Sequence, residues 1–206
     1  MDYRKEKDSF GEIEIESGAL WGAQTERSRR NFRIGQQMPK ELVYALANVK
    51  KAAAKANARL GALDAQTERA IVAACELILS GGADDMFPLV VFQTGSGTQT
   101  NMNLNEVIAN RANELLTGHK GYEQVHPNTH VNMCQSSNDV YPTAENIVLY
   151  RETGRALEGV AALENSFARK SKEFGGVVRL GRTCLQDGVP MTLGQVFAGF
   201  HGVIRR

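Results

Sequence analysis

The chain has 206 residues, 42% of them hydrophobic, which is enough to bury a core in one large or two small domains and too apolar for a disordered tail. Its 24 basic and 23 acidic side chains nearly cancel and neither sign forms a long block, so no nucleic-acid or membrane partner is expected and a small molecule is the default. Cys75, Cys134 and Cys184 lack paired spacing, Met1 to Asp8 carries no apolar leader, and no apolar run nears the roughly 20 residues that span a bilayer; the expectation is a soluble protein in a reducing, cytoplasmic compartment.

In chain order, Ile13 and Ile15 alternate with Glu12, Glu14 and Glu16, which predicts a short edge strand or extended arm. Trp21 to Thr25 reads as a loop. From Pro39, the residues Leu42, Ala45, Leu46, Val49, Ala52, Ala53, Ala56 and Leu60 recur at helical spacing, with Gly61 just past the end. Asp64 can cap a second helix carrying Ile71, Ala74, Cys75 and Ile78, which Gly81 and Gly82 stop. A third helix is predicted from Thr100 to Leu116, ending near Gly118.

Beyond Pro142, the residues Ile147, Tyr150, Gly154, Leu157, Ala161, Glu164 and Ala168 keep a coiled-coil-like spacing to Glu173, the length of a bundle helix. Gly154 and Gly159 would each cost about 1 kcal/mol against alanine in an exposed helix, which suggests close approach of another helix there. Val177 to Thr183 reads as an extended piece, and Thr192 to Arg206 as a further helix without a stop signal. The composition shift at Asn138 to Pro142 places the expected domain boundary between 1–138, a small helical domain, and 139–206, the start of a helix bundle.

Three polar segments carry the chemistry. Gln93 to Asn101 sets Gly95 and Gly97 among hydroxyls and amides before a predicted helix, where backbone N–H groups and the helix start can meet an anion. It is not a nucleotide phosphate loop, since that spacing and its lysine are absent; taken alone it reads as an ordinary capped helix start. In His126 to Asp139, Ser136, Ser137 and Asn138 offer neutral donors suited to a carboxylate, or else a turn rich in serine and asparagine. His119, His126, His130 and Cys134 could be zinc ligands, but no zinc-type motif accompanies them and no metal is expected. Gly181 to Asp187 holds Thr183 and Cys184 between an extended piece and a helix; Cys184 could be a nucleophile, but a buried, inert thiol is the reading the residues favour.

These segments, in this order, resemble the class II fumarases and their relatives in the aspartase/fumarase superfamily. GSGTQTNMNLNEVIANRANE, HPNTHVNMCQSSNDVYPTA and GRTCLQDGVPMTLGQ each look like a family block, as does LWGAQTERSRRNF, so the similarity covers essentially the whole chain. It implies a mainly α fold, a small amino-terminal helical domain followed by the first helices of a long bundle that tetramerises, with active sites combining segments from three subunits. It also implies a lyase that needs no cofactor: a proton leaves the carbon beside one carboxylate, hydrogen bonds hold the aci-carboxylate, and the neighbouring group departs to give fumarate.

By that resemblance Ser96, Thr98, Ser136, Ser137, Asn138 and Thr183 contact a small dicarboxylate, while His126 and Asn128 match an accessory carboxylate site in which Thr129 replaces the usual aspartate. Cys184 stands where many members have histidine with an acid–base or positioning role. The family's catalytic serine lies on a G-S-S-x-M-P-x-K-x-N loop absent from this sequence, and family chains are roughly twice this long. The expectation is therefore a shortened chain, a gene fragment or one half of a split enzyme, inactive alone. Fumarate hydration to L-malate is the leading activity. Aspartate ammonia-lyase is the nearest rival, because HVNMCQ and GVPMTLGQ lean that way while Ser137, WGAQT and GSGTQ look fumarase-like; a non-catalytic structural protein is the third reading.

Overall fold

The computed structural model describes residues 2–206 and divides into two compact units, one ending at Val148 and the other spanning Leu149–Arg206. The first opens with an antiparallel hairpin, β1 (Tyr3–Asp8) and β2 (Gly11–Glu16), with Tyr3 opposite Glu16 and Asp8 opposite Gly11. Ile13 and Ile15 point into the core, as their alternation requires. Strand β1 escapes a hydrophobicity reading because its half-buried face carries charge instead. Arg4 donates to the carbonyls of Glu16, Ala19 and Trp21, the Tyr122 hydroxyl donates to Glu6, and Arg27 donates twice to Asp8.

The predicted loop at Trp21 to Thr25 is instead the start of α1 (Ala23–Asn31). No local side chain caps this helix. Its cap comes from Glu106, whose carboxylate accepts from the N–H groups of Gly22, Gln24 and Thr25 and from the Thr25 hydroxyl at 2.6 to 3.1 Å. A cap supplied across some 80 positions leaves no mark in the local sequence. Gly22 must lack a side chain, since a Cβ there would run into the Tyr122 hydroxyl and the carboxylates of Glu6 and Glu106.

Helices α2 (Lys40–Arg59) and α3 (Ala65–Leu79) fall where the apolar periodicity places them, and Asp64 caps α3 by accepting from the N–H groups of Gln66 and Thr67. The buried stripe of α2 differs from the expected one. Ala52, Ala56 and Leu60 are exposed, and the inward line runs Leu46, Lys50, Ala54, Asn57. Spacing by four, four and three makes one helix face of these, so the stripe keeps its period while two polar residues replace apolar ones.

Helix α4 (Thr98–Thr117) is buried on nearly every side, including Asn101, Asn103, Asn105, Glu106, Asn110 and Asn113. Each of these ties down another segment: Asn103 donates to the Met86 carbonyl, Asn110 to the Leu20 carbonyl, and Asn113 to Val125 while accepting from the N–H groups of Gln124 and Val125. A single π-helical turn at Pro127–Val131 then leads to α5 (Ser137–Glu173). Helix α5 begins five residues before Pro142, which sits inside it, because Ser136 acts as its cap and accepts from the N–H of Asn138 at 3.2 Å. The segment Ser136 to Asn138 is therefore a helix start and not a free turn.

The second unit holds the rest of α5, a hairpin of β3 (Val178–Thr183) and β4 (Gln186–Thr192), and α6 (Leu193–Ile204). Strand β4 replaces the expected passage from strand to helix; its Pro190 is tolerated because a two-stranded ribbon consists only of edges. Thr192 and Gln195 form a reciprocal cap on α6, and Phe197 stacks on Phe174 with Phe167 and Phe200 beside it. Gly154 and Gly159 do not mark a close helix contact within this chain: a Cβ at either would meet nothing within 4 Å. Tyr150 and Leu157, from the same predicted stripe, are exposed. Among the described residues no helix is long and apolar enough to cross a membrane.

Replacing Glu106 with alanine strips four donors, three of them buried, of their acceptor at once. The expected result is a loss of about 3 to 5 kcal/mol in unfolding free energy, measured by urea denaturation followed by circular dichroism.

Candidate active site

Helix α4 starts at Gly97, which takes a left-handed φ of 71°. Only glycine serves there, since the backbone conformation disfavours other residues and a Cβ would enter the Tyr141 ring from α5. No side chain caps this helix, so its first N–H groups are left without a side-chain partner. The ordinary capped start is thus replaced by an uncapped one.

The close approach at Gly97 brings the beginnings of α4 and α5 together. Thr98 Oγ1 lies 3.0 Å from Ser96 Oγ and 3.2 Å from Ser137 Oγ, forming a chain of hydroxyls exposed to solvent on the Thr98 and Ser96 side. Asn138 follows in the first turn of α5, its side chain exposed, while Ser136 spends its hydroxyl on the helix cap. Of the residues singled out in the first unit, Ser96, Thr98 and Ser137 are joined directly, and Ser136 and Asn138 flank them. Two helix amino ends carrying neutral donors give positive potential without a titrating group, which is an arrangement suited to a carboxylate. A cavity of about 370 Å³ borders Thr98 and Gln99 and is lined also by Phe10, Arg27 and Ser28.

His126 caps the π-helical turn and Asn128 lies on it, and neither shares a hydrogen bond with this chain of hydroxyls among the described residues. His126 Nδ1 accepts from the N–H groups of Asn128 and Thr129 at 3.2 and 3.3 Å, and His130 Nδ1 in turn accepts from the His126 N–H at 3.0 Å. Partial burial, with His130 adding to it, holds His126 below its usual pKa, so a neutral ring caps the turn. The Asn128 side chain is exposed. Among the described residues no cluster of three or more histidine, cysteine, aspartate or glutamate side chains could hold a metal ion.

Thr183 and Cys184 sit in the second unit, at the tip of the β3–β4 hairpin. Thr183 pairs with Gln186, and Cys184 and Leu185 between them have φ of 51° and 59°. That is a turn built for Asn-Gly, occupied here by two residues that pay about 1 kcal/mol or more each to adopt it. Cys184 is exposed, not buried, because a two-residue tip has no interior in which to hide a side chain. Its Sγ lies 3.8 Å from Thr183 Oγ1.

Beneath the first cluster lies a network that the sequence reading misses. Asn132 Oδ1 accepts from Lys50 Nζ at 2.8 Å, Asn101 Nδ2 at 3.1 Å and Asn105 Nδ2 at 3.2 Å, and its own amide donates to the Gln135 carbonyl at 3.0 Å. Lys50 is fully buried, and burial pushes its ammonium down to a pKa of about 7. The available signal was a lysine in step with Leu46 and Ala54 on the apolar face of α2.

Compared with known proteins, residues 11–206 match the family model described as Lyase. A class II fumarate hydratase of Campylobacter jejuni is 52% identical over 209 residues, covering 99% of this chain and 45% of the relative. A second, from Bradyrhizobium diazoefficiens, is 56% identical over 200 residues, covering 96% of this chain and 42% of the relative. The crystal structure of recombinant class II fumarase from Schistosoma mansoni superimposes with a TM-score of 0.84 at 44% identity, over 99% of this chain and 44% of that one. The chain thus spans less than half the length of the relatives it matches.

If the contact between Gly97 and the Tyr141 ring sets the spacing of the two helix starts, Gly97→Ala should lower unfolding free energy by about 2 to 4 kcal/mol in urea melts, and Tyr141→Ala in the same background should recover part of that loss. An additive double variant would show that the two positions do not meet.

Proposed function

Because the chain belongs to the lyase family, we propose that the complete protein is a carbon–oxygen lyase that interconverts fumarate and L-malate, and that the hydroxyl chain Ser96–Thr98–Ser137 binds one carboxylate of that four-carbon diacid. The observation that carries this is the meeting of two helix starts through Thr98 and Ser137. Identity above 50% to class II fumarate hydratases supports the choice of reaction over ammonia release from aspartate.

Loss of the proton beside a carboxylate turns that group into a doubly charged aci-carboxylate. Hydroxyl and backbone N–H donors strengthen their hydrogen bonds as the charge grows, so they favour the transition state over the ground state. Asn138 supplies a further amide donor on the same helix turn, and Ser136 contributes by holding that turn in place. No organic cofactor or metal enters this scheme. A homotetramer is the proposed assembly, and the exposed apolar residues Leu149, Tyr150 and Leu157 of α5 support an interface there.

Thr183 and Cys184 are proposed to act in substrate handling from the hairpin of the second unit. The support is the strain at the tip: turn propensity alone would place other residues there. His126 and Asn128 are proposed as an accessory carboxylate site, offering a neutral imidazole and a free amide.

The test is malate dehydration by the complete protein, followed by fumarate absorbance, beside an assay of ammonia released from aspartate. Fumarate formation from malate is expected, and activity on aspartate alone refutes the proposal. Thr98→Val should lower kcat/KM by about 100-fold or more, since one donor to the developing charge is worth about 3 kcal/mol. Thr183→Val should lower kcat/KM while leaving unfolding free energy within about 0.5 kcal/mol, as befits an exposed hydroxyl.

A further inference from the structure

Lys50 takes no part in the chemistry described so far, yet it is the largest side chain wholly removed from solvent. A buried ammonium is normally held by a carboxylate. Here its hydrogen-bond partner is the amide oxygen of Asn132, and no salt bridge to it exists among the described residues. From α3 the titratable group acting on it is Cys75, whose own burial pushes the thiol up to about 12 and leaves it uncharged. From α4 it meets Asn101 and Asn105 through Asn132, and Glu76 of α3 is taken by Lys51. The side chains gathered on Asn132 are neutral amides, and Asn101 Oδ1 and Asn105 Oδ1 are buried without a hydrogen-bond partner, so they supply no counter-charge to the ammonium.

The network reaches both sides of the hydroxyl chain. On one side Asn101 lies in the first turn of α4, its N–H donating to the Gly97 carbonyl. On the other, Asn132 holds the carbonyl of Gln135, the residue before Ser136. One side-chain amide, that of Asn132, therefore ties both helix starts, its oxygen accepting from α4 and its nitrogen donating to the Gln135 carbonyl, and Lys50 is the charged group bound to that oxygen.

We propose that Lys50 is a positioning residue of the dicarboxylate site: its uncompensated ammonium locks Asn132, which sets the Ser136–Ser137–Asn138 turn against Thr98, and dicarboxylate binding draws on that buried positive charge. This rests on the reading of the hydroxyl chain as a carboxylate site. Binding and protonation are then coupled. A bound dianion favours the charged form of Lys50, so affinity should fall as pH rises through about 7, and ligand should raise the lysine's own titration midpoint.

The coupling separates a functional lysine from a structural one. Lys50→Met removes a buried unpaired charge and leaves Asn132 Oδ1 with two amide donors, so stability should hold or rise. Succinate affinity, read from amide shifts of Thr98, Ser137 and Asn138 in the complete protein, should drop at least tenfold at pH 6 and little at pH 9. Asn132→Asp is the second variant, since a carboxylate would neutralise the ammonium in place; it too should weaken succinate tenfold without unfolding the chain. In the unmodified protein, a carbon-13 label at lysine Cε should show the Lys50 midpoint moving upward when succinate is added. If the amides respond but that midpoint stays fixed and both variants bind as the parent does, the inference about Lys50 is wrong and the hydroxyl site stands. If no amide responds to succinate at any pH, the carboxylate reading fails and this inference with it. Should Lys50→Met not fold, Asn132→Asp and the label decide.

Discussion

A helix buried on nearly every side cannot use the usual division into an apolar face and a wet one, and α4 resolves this by turning polar side chains into long-range ties. Glu106, Asn110 and Asn113 reach irregular stretches and a helix end whose backbone groups lack regular partners: the start of α1, the chain around Leu20 and the loop before Val125. Each tie satisfies a backbone group that would otherwise be stranded in the core, where an unmade hydrogen bond costs about 1 to 3 kcal/mol. The arrangement also explains Glu106. Burial raises its pKa and four donors pull it back, so the carboxylate holds a helix start together at some electrostatic expense.

The same helix sets the candidate site at its amino end. Gly97 permits a left-handed turn and contact with the Tyr141 ring, and that contact accompanies the meeting of two helix starts at the hydroxyls of Ser96, Thr98 and Ser137. The groups presented there are neutral, so the carboxylate proposed for them would be held without the deep ground-state well that a salt bridge would create. Charge is kept one layer down, on Lys50, where it acts through Asn132. A lysine in that place opposes stability. Its pKa of about 7 lies below the usual value near 10.5, so the penalty is full below pH 7 and fades as pH climbs toward 10.5.

The second unit follows a different logic. An aromatic group around Phe197 and a reciprocal cap on α6 hold it together, while Cys184 and Leu185 strain the hairpin tip. Those two left-handed residues cost about 1 kcal/mol or more each, which the packing and capping of the rest of the unit must offset.

Much of this was legible beforehand. Periodicity located α2, α3 and most of α4, Asp64 announced its own helix, and the polar segments around Thr98 and Ser137 were visible as candidate donors, because each of these signals lies within a few residues of what it specifies. The resemblance to the fumarases supplied the grouping of those segments. What remained hidden depends on partners far along the chain: β1, whose inner face is charged; α1, capped by Glu106; the start of α5, five residues ahead of its proline; and the exposure of Cys184 at a hairpin tip. Lys50 is the sharpest case. Its place on an apolar face was written in the sequence, but only the folded chain shows Asn132 arriving from 82 positions away to receive it, because burial and hydrogen-bond partnership are properties of the assembled core and local spacing encodes neither.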